Sequence, residues 1–128
     1  MVRYIGIDYG HKRVGVALSD GEGGFAFPHA VWTQKEALEK IVALVAERGV
    51  GAVVIGQSHD LAGVANPIQQ KIDDFILKLK EKITIPIHSE PEFYTSAEAE
   101  HIQGKTASHD ASAAALILKS YFDKQQNQ

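Results

Sequence analysis

The sequence predicts an α/β fold with a mixed five-stranded sheet and helices on both faces. From residue 33 onward, stretches of helical periodicity alternate with short β-rich stretches, and strand–helix–strand units require parallel crossovers. Before residue 33, three strand-like stretches follow one another with only short turns between them, which is typical of an antiparallel meander. We expect one domain over residues 1–124 and a frayed tail over residues 125–128.

The meander comprises residues 4–8, 13–19 and 25–32. The first turn contains Gly10, which allows a tight reversal. In the second strand, Val14 and Val16 alternate with small residues, as expected for a strand with two different faces. The third strand contains Pro28, which favours an edge position or a bulge because proline has no amide hydrogen to donate.

The first helix begins at a capping box in which Thr33 and Glu36 satisfy each other's backbone amides. It ends at Gly49, a residue type common just after helices. Residues 52–55 form a continuous apolar run, which predicts a central strand covered on both faces.

The second helix is expected to begin with Asn66 as its cap and Pro67 as its first residue. Its lysines are interpreted as a solvated face: Lys71, Lys78, Lys80 and, just beyond it, Lys82. The pattern then predicts a last strand, a second capping box and a closing helix, at residues 83–88, 95–98 and 110–122.

Composition limits the classes of function. The 128 residues carry a formal net charge of −3, so no overall positive field attracts nucleic acid, and any polyanion must meet local basic groups or metal ions. The chain has no cysteine, which excludes thiolate metal sites and fits a reducing, cytoplasmic location. No apolar run reaches membrane-spanning length, so no membrane partner is expected.

Asp8 is the most informative single residue. It ends a hydrophobic strand, where an ionised carboxylate is costly to bury without a partner. One interpretation is a turn-forming aspartate that accepts hydrogen bonds from the hairpin backbone. The other is a metal ligand, and the remaining motifs of the chain favour it.

Four segments of the chain form a recognisable pattern: residues 5–20 with Asp8, Gly10 and Asp20; Val53-Val54-Ile55-Gly56; Glu92-Phe93-Tyr94-Thr95-Ser96; and residues 110–122. Together they resemble the YqgF/RuvX family of Holliday junction resolvases and pre-16S rRNA nucleases. Their order, spacing and total length match the family over nearly the whole chain.

The resemblance implies a ribonuclease H-like fold and a metal-dependent nuclease, and it assigns the family's acids to Asp8, Glu92 and Asp110. These three residues are the expected catalytic residues and metal ligands, with Asp8 bridging from the central strand. Mg²⁺ prefers hard oxygen ligands, so a few carboxylates suffice, and Mn²⁺ is a possible substitute. Two such ions can activate a water and stabilise the leaving oxygen. Glu90 is a rival to Glu92, because Pro91 makes the local register uncertain.

Phosphate-contacting residues are expected beside these acids. His11, Lys12 and Arg13 adjoin Asp8, and Lys105 precedes Asp110; plain surface charge is the alternative interpretation for each. Phe93 stands where the family usually has an arginine, and we expect it to stack on an unpaired base instead.

The loop between Gly56 and Gly63 also departs from the family pattern. Ser58 and Ala62 replace the family's proline and aspartate there. These departures leave the acids in place but remove a phosphate contact, which puts substrate choice in question.

The expected substrate is the 5′ end of the small-subunit ribosomal RNA precursor or a Holliday junction, with ribosomal particles as a further partner. One alternative is a nucleic-acid or ribosome-assembly binding protein with weakened catalysis. A second is an actin-like phosphotransferase, which would pair two related domains around ATP. The sequence does not distinguish a monomer from a homodimer.

Overall fold

The computed structural model describes the backbone of residues 2–21, 24–93 and 107–126. Side chains within these ranges are described except at residues 92, 93, 107–110 and 126. The predicted capping box at residues 95–98 and Lys105 therefore lie outside the described residues. Within the described ranges, no helix is both long and apolar enough to cross a membrane.

Five strands form one mixed sheet in the order β3-β2-β1-β4-β5. β1 and β2 pair antiparallel, as do β2 and β3, whereas β4 pairs parallel with both β1 and β5. The mixed sheet with an antiparallel meander is thus confirmed. The strands are β1 Tyr4–Tyr9, β2 Arg13–Ser19, β3 Ala26–Thr33, β4 Ala52–His59 and β5 Ile87–Phe93.

Three described helices cover the sheet: α1 Gln34–Arg48, α2 Ile68–Lys80 and α3 Ala107–Gln126. Strand alternation divides the apolar side chains between two cores. Ile5 and Ile7 of β1 pack in the core shared with α1 and α2. Val54 of β4 packs in the smaller core shared with α3. Helices therefore lie on both faces, as predicted.

The first helix follows the sequence prediction closely. The Glu36 amide donates to Thr33 Oγ1 at 3.3 Å, and the Thr33 amide donates to Glu36 Oε1 at 3.1 Å. Gly49 ends the helix in the left-handed conformation, with φ of 59°. This conformation favours glycine because a Cβ would crowd the backbone.

Two predicted boundaries are wrong. α2 begins at Ile68, with Pro67 rather than Asn66 at the cap position, and Asn66 Nδ2 donates to Ser58 Oγ at 3.1 Å. The last strand begins at Ile87 rather than at residue 83. The Pro86 carbonyl accepts from the Val53 amide at 2.9 Å, and regular pairing starts just after it.

Other elements extend beyond their predicted limits. β4 continues to His59, four residues past the apolar run, because its polar end is paired with β5. α3 begins at Ala107 and continues to Gln126, two residues into the expected tail. β3 is an edge strand, and its register against β2 shifts between Val16 and Ala17, next to Pro28, as the proline predicted.

Candidate active site

Asp8 is a buried carboxylate near the end of the central strand, with 7% of its surface exposed. It occupies the same row of β1 as Gly6, and the Gly6 row faces α3. A Cβ added to Gly6 would lie 2.5 Å from Leu118 Cγ and 2.8 Å from the Ala114 carbonyl oxygen. Side chains two residues apart share a face of a strand. Asp8 therefore projects to the α3 side of the sheet.

The start of α3 lies toward Asp8. The Tyr4 ring, near the opposite end of β1, packs against the Phe122 ring with centroids 5.1 Å apart, so strand and helix run antiparallel. In α3, Asp110 precedes Ala114 by about one helical turn, which is about 6 Å along the helix. In β1, Asp8 follows Gly6 by two residues, which is about 6.6 Å along the strand. The backbone of Asp110 therefore lies on the Asp8 side of the contact between Gly6 and Ala114, while the Asp110 side chain lies outside the described atoms.

The parallel pairing of β1, β4 and β5 relates the two glutamates to Asp8. β1 and β4 are in register at Ile7 and Ile55, and one residue further along places Asp8 beside Gly56. Gly56 pairs with Glu90, and Ser58 pairs with Glu92. Glu92 thus lies within β5, whereas the sequence predicted a strand that ended at residue 88. It is two residues nearer the carboxyl end of the strand than Glu90.

Glu90 makes a close ion pair with Lys124. Its Oε2 lies 2.6 Å from Lys124 Nζ, and only 4% of the Glu90 side chain is exposed. The same carboxylate acts on Tyr121, whose pKa is raised first by burial and then by Tyr4 and Glu90. Sequence reasoning missed this pair because Lys124 is distant along the chain, just beyond the predicted closing helix at residues 110–122.

Within the side chains that the structure describes, no group of three or more His, Cys, Asp or Glu residues is placed to hold a metal ion. The side chains of Glu92 and Asp110 lie outside the described ones. The chemistry of the set still suits a divalent cation, since all its donors are carboxylate oxygens.

The basic turn between β1 and β2 lies at the same end of the sheet as Asp8. The Gly10 amide donates to the Arg13 carbonyl at 2.9 Å and closes the turn. His11 and Lys12 are exposed, and Arg13 is half-buried. Gln34 Nε2 donates to the His11 carbonyl at 2.9 Å, which fastens the turn to the start of α1. Phe93 ends β5 opposite His59, and its side chain is not described.

The segment after β4 has an internal structure that the sequence did not reveal. The Asp60 Oδ1 atom accepts from the amides of Ala62 and Val64, both at 2.9 Å. Gly63 has φ of 85°, a conformation that favours glycine. Asp60 therefore holds this loop, although Ala62 stands where the family has an aspartate.

The sheet order, the helices on both faces and the buried acid on the central strand define a ribonuclease H-like fold of the resolvase type. Two solved structures agree. A Thermus thermophilus RuvC in complex with a Holliday junction substrate has a TM-score of 0.61 and 17% identity, covering 98% of this chain and 96% of its own. The fowlpox virus Holliday junction resolvase has a TM-score of 0.52 and 14% identity, covering 96% and 99%.

The chain belongs to the RuvX family, described as Holliday junction resolvase, whose model matches residues 2–124. A relative from Lawsonia intracellularis is 33% identical, over 99% of this chain and 97% of its own length. A relative from Thermoanaerobacter pseudethanolicus is also 33% identical, over 98% and 99%. Both carry the name "Putative pre-16S rRNA nuclease". The family expected from the sequence is confirmed, and with it the nuclease class.

Proposed function

We propose that this protein is a divalent-metal-dependent nuclease that hydrolyses phosphodiester bonds of nucleic acid, and that its active site lies at the end of β1. In this proposal Asp8, Glu92 and Asp110 hold Mg²⁺, for which Mn²⁺ can substitute. The observation that carries the proposal is the buried Asp8 carboxylate at the carboxyl end of the central strand. A carboxylate there supplies hard oxygen ligands of the kind that Mg²⁺ prefers.

The proposed substrate is structured nucleic acid, at the 5′ end of the 16S ribosomal RNA precursor or at a Holliday junction. Support comes from the names of the curated relatives, from the family description and from the substrate bound to the RuvC neighbour. We favour the ribosomal RNA precursor, because both curated relatives described above are named for it.

Each group of residues has a separate role in the proposed reaction. The bound cation supplies a polarised phosphate and a water of lowered pKa. Asp8 holds its position rigidly because β1 is paired on both sides, by β2 and β4. Lys12 and Arg13 contact phosphates near the scissile bond and offset their charge. Glu90 stays bound to Lys124 and contributes to the fold rather than to the metal site.

Cleavage of labelled substrates tests the proposal. Wild-type protein should cleave an end-labelled RNA precursor in Mg²⁺, and addition of EDTA should stop the reaction. Asp8→Asn and Glu92→Gln should each reduce the cleavage rate by at least about 100-fold, because a lost ligand removes stabilisation of developing charge. Magnesium titration followed by calorimetry on the same variants would show weaker metal binding independently of turnover.

Glu90→Gln is the matched control, since it makes the same change on the same strand two residues earlier. We expect normal cleavage and a stability loss of about 1–3 kcal/mol from the broken charged hydrogen bond. Loss of cleavage in Glu90→Gln with full activity in Glu92→Gln would refute the assignment of Glu92. Metal-independent binding without any cleavage by the wild type would instead support the nucleic-acid binding alternative.

A further inference from the structure

A second feature of the structure lies on the face of the sheet opposite Asp8. A cavity of about 390 Å³ opens between α1 and α2. Three lysines line it: Lys35 from the first turn of α1, and Lys71 and Lys78 from α2. Tyr9 of β1 contributes to the lining as well. The lysines of α2 are therefore not equivalent, although the sequence analysis assigned them all to a solvated face.

The cavity carries an excess of positive charge. In the described part of the chain, the lysines that form ion pairs are Lys40 and Lys124, so none of the three cavity lysines is neutralised by a carboxylate there. Asp74 is the one acid in the lining, and its Oδ1 already accepts from Gln70 Nε2 at 3.1 Å. Three ammonium groups and one carboxylate leave a net charge of about +2, which an anion would offset.

The two aromatic residues of the cavity, Tyr9 and Phe75, pack against each other. Phe75 is buried, and its ring lies 5.0 Å from the Tyr9 ring, centroid to centroid, at an interplanar angle of 42°. Burial, and then the neighbouring Asp74 carboxylate, raises the pKa of Tyr9. The cavity thus offers cations without an open aromatic face, which suits a phosphate group better than a nucleobase.

The position of the cavity connects it with the candidate active site. Tyr9 directly follows Asp8, so their Cα atoms are about 3.8 Å apart while their side chains project to opposite faces. Gln34, another lining residue, holds the β1–β2 turn through the His11 carbonyl at 2.9 Å. Basic groups therefore continue from Lys12 in the turn, around the end of β1, to Lys35 and the lysines of α2.

We propose that this cavity binds backbone phosphates of the same nucleic-acid strand, beyond the segment that reaches Asp8. The inference rests on the proposed function, since the strand must be present at the end of β1. A free nucleotide shares the phosphate chemistry, but the continuous basic track favours a polynucleotide. The strand would bend around the end of β1, with its reactive phosphate on the α3 side and later phosphates between α1 and α2.

Binding of a labelled single-stranded RNA, measured by fluorescence anisotropy in EDTA, tests the inference without requiring cleavage. The test variant is Lys71→Gln with Lys78→Gln, and the control is Lys80→Gln with Lys82→Gln, which changes the same charge beyond the cavity. Each phosphate contact contributes about 0.7 to the slope of log affinity against log salt for single strands. We expect the test variant to flatten that slope by about 1.4 and the control to leave it unchanged.

Lysine acetylation followed by mass spectrometry locates the contact in the wild-type protein. RNA should protect Lys35, Lys71 and Lys78, and it should leave Lys80 and Lys82 reactive. Equal salt slopes for the two double variants would overturn the proposal. A different result would overturn the assignment of the cavity to a polynucleotide: AMP protects the three lysines, but the test variant binds single-stranded RNA as the wild type does. Because no outcome depends on turnover, an inactive enzyme would refute the proposed function and leave this test intact.

Discussion

At the scale of single residues, the environment of Asp8 combines burial with a defined direction. Its strand is paired on both sides, and its neighbour in the same row, Gly6, touches α3. The paired strand therefore fixes the direction in which Asp8 projects. Substitution of Asp8 can distinguish whether it is a metal ligand or a turn-forming acid.

We expect Asp8→Asn to raise the melting temperature of the metal-free protein. If Asp8 lies among other carboxylates, the neutral amide relieves their repulsion, and about 1 kcal/mol of relief corresponds to roughly 3–5 °C for a domain of this size. The stabilisation by added Mg²⁺ should shrink in the same variant, because a metal that binds only the folded state stabilises it by mass action. Differential scanning calorimetry with and without Mg²⁺ measures both effects.

A turn-forming Asp8 would give the opposite pattern. The neutral amide would accept weaker hydrogen bonds from the backbone donors, which would lower the melting temperature or leave it unchanged, and the Mg²⁺ shift would equal that of the wild type. Asp60→Asn serves as a control of this kind, since Asp60 accepts from two loop amides at 2.9 Å.

At the scale of elements, the sequence predicted best what local chemistry determines. The capping box of Thr33 and Glu36 and the left-handed Gly49 involve only neighbouring residues, and both are as predicted. Pro67 rather than Asn66 stands at the cap position of α2, and Asn66 Nδ2 donates to Ser58 Oγ on β4. This contact joins two residues eight positions apart, which periodicity and residue type cannot reveal.

The contact between Gly6 and α3 gives the clearest prediction at this scale. Gly6→Ala would place a methyl group against Leu118 and against the backbone of Ala114, and a backbone cannot yield by changing a rotamer. We expect α3 to shift away from β1, with a stability loss of about 1–3 kcal/mol in urea denaturation. Cleavage should fall as well, because Asp110 is on the shifted helix.

Gly51→Ala is a matched control for this substitution. Its added methyl group would meet Val2 Cγ1 at 2.6 Å, and the side chain of this exposed residue can move. We expect a smaller stability loss and unchanged cleavage. Equal effects of the two substitutions would mean that close packing beneath α3 does not control the position of the helix.

At the scale of the whole molecule, the net charge of −3 means that nucleic acid must be attracted locally. The acids and the basic turn were predicted from short contiguous motifs, and their roles stay predictions. The sequence did not reveal the cavity between α1 and α2, because Lys35, Lys71 and Tyr9 meet only through the folded topology. It also left open whether Glu90 or Glu92 is the ligand, and the pairing of β5 with β4 places them beside Gly56 and Ser58.

The preference for single-stranded over duplex nucleic acid is a property of the whole binding surface. Substitutions of Phe93 test this preference. An aromatic ring in place of the family arginine can stack on an unpaired base, which contributes about 1–3 kcal/mol per base. We therefore expect the wild type to prefer single-stranded or frayed RNA ends over closed four-way junctions. Phe93→Ala should weaken single-strand binding by that energy, and Phe93→Arg should strengthen duplex binding and steepen its salt dependence.

Filter binding of matched single-stranded, duplex and junction substrates at two salt concentrations measures this preference. Equal affinity for all three substrates, unchanged in Phe93→Ala, would show that Phe93 only packs. The result would leave the metal site untouched, since cleavage by the acids is assayed separately.

Both outer strands of the sheet contain a proline, Pro28 in β3 and Pro91 in β5. Each proline removes one amide hydrogen from an edge that could otherwise recruit a strand from another polypeptide. The register shift beside Pro28 further interrupts the regular spacing that such recruitment requires. A protein with these interrupted edges would resist being drawn into intermolecular β-sheet aggregates.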